Sequence, residues 1–172
     1  TASSPYTISN LLPSSQYNYY MKTNCPTELS EPTQIYSFRT ACGTITTIPY
    51  FEDFNSYGTA TNTFPSCWTR PILNGNYPSL VTTYNSAPAS LRFQSLPAVP
   101  TYAVSPALGM DINALRVRFM LRAESLTNSG TMTVGVMSNS TDTTTFEVVK
   151  VIQPSNTAFN AYEVEFDSTL LS

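Results

Sequence analysis

The sequence predicts an all-β fold, on three observations. Ser and Thr make up about a quarter of the 172 residues, well above ordinary globular usage, and they suit exposed strand faces and turns. Helix formers such as Glu, Lys and Ala are sparse, and 13 prolines punctuate the chain. Several short segments alternate apolar and polar residues with period two, the pattern of a half-buried strand.

Composition also excludes function classes. No histidine is present, which removes the Ser-His-Asp triad, the Cys-His dyad and HExxH zinc hydrolysis. Charged residues are 11% and the net charge is −3, so the basic stripe of a nucleic-acid binder is missing. No apolar run is long enough to span a membrane. Thr1-Ala2-Ser3-Ser4-Pro5 lacks the charged and apolar regions of a signal peptide.

The first segment reads as three short strands. Tyr6 to Leu11 alternates in period two, and Leu12-Pro13-Ser14-Ser15 is a turn cluster. Gln16 to Lys22 then places Tyr17, Tyr19 and Met21 on one face, and Gln34 to Thr40 alternates again. Three strands do not close a sandwich, so this piece needs partners.

The run Leu11-Leu12-Pro13-Ser14-Ser15-Gln16-Tyr17 resembles the leucine, proline, small residue, tyrosine pattern of fibronectin type III domains. Tyr36 to Thr40 resembles the last strand of that family. The resemblance implies that Tyr17 forms a corner, with its hydroxyl bonded back to the chain. It covers residues 1–41, the C-terminal half of such a domain, and implies a longer protein.

Ala41-Cys42-Gly43-Thr44 reads as a domain boundary. Beyond it, Pro49 to Tyr57 interleaves acidic and amide side chains with aromatics and reads as an opening strand. Pro65-Ser66-Cys67-Trp68 follows. Ser90-Leu91-Arg92-Phe93 is the next strand-like run. Pro106 to Asp111 is short and holds a glycine, so it predicts a turn at most. Leu115 to Arg122 puts Leu115, Val117, Phe119 and Leu121 on one face and Arg116, Arg118, Met120 and Arg122 on the other, a half-buried antiparallel strand. Thr131–Met137 and Phe146–Ile152 read as two further strands, separated by a polar turn. Ala161 to Phe166 directs Tyr162, Val164 and Phe166 inward. The expected architecture is an antiparallel jelly-roll β-sandwich over residues 42–172, preceded by the partial fibronectin type III sandwich.

The ordered set of Tyr50 to Tyr57, Pro65-Ser66-Cys67-Trp68, Ser90 to Phe93, Leu115 to Phe119 and Val134 to Met137 is similar to the MAM-like, cleaved-adhesin domains of Bacteroidota surface and secreted proteins. That resemblance covers residues 42–172, without the family's closing strand after Phe166. It implies an exported, extracellular location and a structural Ca²⁺ near the opening strand. Asp53 and Asn55 fall on the family's metal positions, with Asn55 standing where a glutamate is usual. Glu52 adds a third oxygen-bearing side chain, as a hard cation wants. The resemblance further implies a Cys42–Cys67 disulfide. The residues alone also allow Cys25 with Cys42, or three reduced thiols. Asp142-Thr143-Thr144 and Asp167-Ser168-Thr169 resemble the short O-glycosylation motif of Bacteroidota exported proteins, with Thr143 and Ser168 as acceptors.

A binding face is expected from aromatic platforms and planar polar groups: Tyr77, Tyr84, and the stripe Arg116, Arg118 and Arg122, with Arg118 central. Trp68, beside a cysteine, reads as core. Glu163 and Glu165, at i and i+2 on one strand face, are the nearest approach to a carboxylate pair, but an exposed edge is their plain reading. The expected function is a non-catalytic adhesion or ligand-binding module of a large exported surface protein, taking a glycan or a host or environmental surface protein and flanked by other domains of the same polypeptide. The alternatives are accessory domains of a secreted peptidase or glycoside hydrolase, or a structural spacer in a surface stalk.

Overall fold

A computed structural model describes residues 5–24, 26–60, 63–73, 75, 77–94, 99–127 and 130–167. The protein is all-β, with four antiparallel two-stranded ladders and two single-turn 3₁₀ segments among these residues. The chain divides into two compact units, Thr1–Gly43 and Thr44–Ser172. The division lies two residues beyond the boundary expected at 41/42.

Unit 1 is built on one hairpin. Strand β1 (Gln16–Tyr19) pairs with β2 (Tyr36–Arg39), with Tyr17 opposite Phe38 and Tyr19 opposite Tyr36. Those four rings share one face: Tyr17 stacks on Phe38 at 5.8 Å between centroids and Tyr19 on Tyr36 at 5.4 Å. Cross-strand aromatic pairs of this kind stabilise a ladder. Asn18 and Ser37 join their side chains on the other face, at 2.7 Å. The Tyr17 hydroxyl accepts a hydrogen bond from the Leu12 amide at 2.9 Å. It thereby ties the Pro13-Ser14 turn, where Ser14 has φ +56°, to the hairpin. The strand expected over Tyr6–Leu11 does not form. Tyr6 to Asn10 are exposed, and Asn10 at φ +61° interrupts the extended backbone.

Unit 2 holds the remaining ladders. Strand β3 (Ser79–Val81) pairs with β4 (Ser90–Arg92). Strand β5 (Arg116–Leu121) pairs with β8 (Asn160–Glu165), and β6 (Met132–Met137) with β7 (Phe146–Ile152). The last two ladders share one apolar cluster. Val149, Ile152 and Val164 are buried at its centre, with Val117, Phe119, Leu121, Met132, Val134, Tyr162 and Phe166 around them. The inward set expected for β5 and β8 from period-two alternation thus packs here, except for Leu115, which lies outside the cluster. Phe119 stacks on Tyr162 at 6.0 Å.

A bulge adjusts β7 to this core. Val134 stands opposite Lys150 and Gly135 opposite Val148, which leaves Val149 as the extra residue. The bulge lets Val149 and Ile152, three apart, both face inward. Pro106–Asp111 forms no helix; a single 3₁₀ turn follows it at Ile112–Ala114, capped by Asp111. No helix among the described residues is long and apolar enough to cross a membrane.

The stretch Tyr50–Tyr57 forms no strand, contrary to expectation. Its own side chains prevent it. Glu52 accepts a hydrogen bond from the Phe54 amide at 2.7 Å, and Asp53 from the Asn55 amide at 2.9 Å. Local side-chain bonds of this kind compete with a ladder for the backbone. Phe54, at φ +63°, turns the chain between them.

Candidate functional site

Three groups of residues carry the candidate chemistry, and the fold treats them differently.

The acidic corner is a closed turn. Glu52 uses both carboxylate oxygens as acceptors, one for the Phe54 amide and one for the Tyr57 hydroxyl at 2.9 Å. Burial, and secondly the Glu52 carboxylate it donates to, push the Tyr57 phenol above its ordinary value. Asn55 turns its Oδ1 toward the Ala89 amide, at 3.3 Å, and so clips the corner to the start of β4. Phe54 meets Trp68 edge-on at 5.7 Å, and Trp68 Nε1 donates to the Tyr50 hydroxyl. Among the described residues no three Asp, Glu, Cys or His side chains converge as a metal cage. Of the expected ligands, Glu52 and Asn55 are committed to protein donors, and Asp53 retains Oδ2. The side-chain hydrogen bonds of Glu52, Asp53 and Asn55 make the corner a loop clasp.

Cys42 and Cys67 are joined in a disulfide. The bond places a covalent tie directly before Trp68, and Cys67 adopts φ +68° there. Cys25 lies outside the described residues.

The arginine stripe is the assembled group. Strand alternation puts Arg116, Arg118 and Met120 outward on β5 while Val117, Phe119 and Leu121 hold the other face in the core. In register, Arg118 stands opposite Glu163 of β8 and Arg116 opposite Glu165. Arg118 Nε donates to Glu163 Oε2, and Arg116 Nη1 lies 3.7 Å from Glu163 Oε1. Both arginine side chains remain more than half exposed. The Arg118 hydrogen bond, aided by the positive charges of Arg118 and Arg116, holds the Glu163 carboxyl below the usual carboxylate range. Glu163 is therefore bound to the arginines and is not a free member of a Glu163/Glu165 pair.

The other expected binding residues lie apart from this cluster. Arg122 sits over the Phe159 ring, 5.8 Å from its centroid, and donates to the Ala123 carbonyl. Tyr77 is half-buried, with the Arg70 guanidinium 4.4 Å from its ring centroid; Arg70 also lies 4.8 Å from the Phe64 ring. Tyr84 is exposed on the loop between β3 and β4. Two residues escaped the sequence reading: Glu163 as the arginines' partner, and Arg70 between two aromatics. The first had a signal, since Arg-x-Arg on one strand and Glu-x-Glu on another match in period. The second had none, because Phe64, Arg70 and Tyr77 come from irregular chain.

Asp142 caps the 3₁₀ turn Thr143–Thr145, accepting from the Thr144 amide and hydroxyl. Those bonds hold its carboxyl below the ordinary range. The Thr145 hydroxyl is also engaged, with the Asn139 and Asp142 carbonyls. Thr143 keeps its hydroxyl without a partner among the described residues. Ser168 lies outside them.

Compared with family models, with curated proteins and with solved structures, the chain finds no match.

Proposed function

We propose that this chain is a non-catalytic, extracellular adhesion or ligand-binding module, and that the outer face of β5 and β8 is its contact surface. One observation carries the reading: Arg116 and Arg118 converge on Glu163 across a ladder whose opposite face is fixed in the core. Two planar guanidinium groups beside a carboxylate offer paired donors and an acceptor on a rigid support. That set suits the vicinal hydroxyls of a glycan or the polar groups of a protein surface. The Cys42–Cys67 disulfide supports the oxidising compartment this function requires. The free Thr143 hydroxyl, beside Asp142 on an exposed turn, supports modification of the same exported module.

The test is binding of the intact 172-residue chain to a glycan array and to immobilised extracellular matrix proteins. Binding to one of them is expected, with at least a tenfold loss in Arg118→Ala and a smaller loss in Arg118→Lys, which keeps the charge and loses the planar fork. A chain that binds neither class of surface would reject the reading. An Arg118→Ala variant that binds like wild type would move the site elsewhere.

A further inference from the structure

Glu163 belongs to two features of the same face at once. On one side it accepts both ion pairs present among the described residues, from Arg118 and from Arg116. On the other it lines a groove of about 310 Å³ between β8 and β7, with Val149, Lys150, Val164 and Glu165. Val149 and Val164 are buried and form the floor, while Lys150, Glu163 and Glu165 stand exposed at the rim. A groove of that size lies at the small end of ligand pockets and suits a single sugar ring.

Positive charge is concentrated here. The chain carries a net charge of −3, yet three of its eight Lys and Arg residues, Arg116, Arg118 and Lys150, surround Glu163 and the groove. One carboxylate serves two guanidinium groups. Arg118 gives it Nε, and the terminal nitrogens of Arg118 have no hydrogen-bond partner among the described residues. Glu165 stands opposite Arg116 in register, but Arg116 turns to Glu163 instead. Glu165 and Lys150 have no ion-pair partner among the described residues. The arrangement is that of a carboxylate receptor already holding a carboxylate.

From this we infer that the site takes a carboxylated sugar, a uronic or sialic acid residue of a glycan, whose carboxylate replaces that of Glu163 on Arg118 and Arg116. The inference rests on the reading of the β5 and β8 face as the contact surface, and names what that surface takes. A planar carboxylate matches the guanidinium forks that Glu163 now occupies. Once displaced, Glu163 turns to the groove, where Lys150 supplies a cation. The sugar ring lies over Val149 and Val164, and its hydroxyls donate to Glu165. An acidic peptide suits the site less well. It brings several carboxylates and few hydrogen-bond donors to a rim that already holds two carboxylates, and like charges repel.

The experiment is calorimetric titration of the intact chain with oligogalacturonate, a hyaluronan oligosaccharide and sialyllactose, each beside its carboxyl methyl ester. At least one acid is expected to bind, and its ester about tenfold more weakly or worse, because the charge-assisted pair is lost. Glu163→Gln removes the competing carboxylate and should tighten the acid about two- to fivefold, the worth of an exposed pair. Glu165→Gln removes the same charge but frees no arginine, and should not tighten it. In the complex the Glu163 carboxyl, held low by Arg118 in the free chain, should titrate in the ordinary glutamate range. Circular dichroism checks that each variant is folded. An ester that binds like its acid, no gain in Glu163→Gln, an equal gain in Glu165→Gln, or preference for a glutamate-rich peptide would each overturn the inference. So would a chain that takes a neutral glycan through Arg118 and none of the three acids, an outcome that leaves the contact-surface reading standing. A chain that binds no glycan and no protein surface would overturn both.

Discussion

The ring of Phe146 fills the space that a side chain at Gly135 would need. A Cβ there would stand 2.7 Å from Phe146 Cζ and would run into the Glu147 carbonyl oxygen. Gly135→Ala is therefore expected to cost roughly 3 kcal/mol, a value for overpacking where neighbours cannot give way. Thermal melting followed by circular dichroism would show it. Phe146→Ala should not rescue the variant, because the carbonyl contact is backbone and remains.

The Cys42–Cys67 bond makes a second prediction. It closes a loop of about 25 residues, worth about 3 kcal/mol in the chain-entropy model. Cys42→Ser, and reductant on the wild-type chain, should lower stability to urea by similar amounts. Cys42→Ser is the cleaner variant, since Cys67 sits at positive φ and its replacement mixes backbone strain with loss of the bridge. Unchanged midpoints in both experiments would show that the bridge contributes nothing to stability.

Glu163 predicts a pH dependence. Its carboxyl pKa is depressed, first by the Arg118 hydrogen bond. A depressed carboxylate contributes stability that is present above its unfolded value and lost as pH falls through the folded one. The contribution is small, because the pair is exposed. The clearer readout is carboxyl-carbon NMR. Glu163 should titrate below the ordinary glutamate range in the wild-type chain and move up toward it in Arg118→Ala. A Glu163 midpoint equal in both proteins would show that the ion pair does not persist in solution.

Calcium gives the fourth prediction. Glu52 and Asn55 already serve the amides of Phe54 and Ala89. Those bonds hold the turn without an ion, so Glu52→Gln and Asn55→Ala should each lower stability by about 1 kcal/mol with or without millimolar Ca²⁺, through lost turn hydrogen bonds. A rise of several degrees with Ca²⁺, abolished in Asp53→Ala, would instead place an ion on the corner.

Legibility of the fold followed the locality of its causes. The outward and inward rows of β5 and β8 were readable residue by residue, because alternation depends only on strand period. The Tyr17 hydroxyl bond was expected only through the resemblance of Leu11 to Tyr17 to the fibronectin type III pattern. Tyr50–Tyr57 misled because its aromatic and acidic residues also suit a strand, while the bonds from Glu52 and Asp53 to the backbone outcompete a ladder. The binding face was half legible. Arg116 and Arg118 announced a row, but Glu163 lies 45 residues from Arg118 in sequence, and only strand pairing joins them.

By itself, then, the sequence determined the all-β class, the period-two faces of its long strands, and the absence of imidazole chemistry. These follow from composition and from the geometry of a single strand. Tertiary structure decided which strands pair, where β7 bulges, that Cys42 bonds Cys67, and that two arginines share one carboxylate. Each of these joins residues distant along the chain, and the energy of such a contact exists only once the backbone has brought them together.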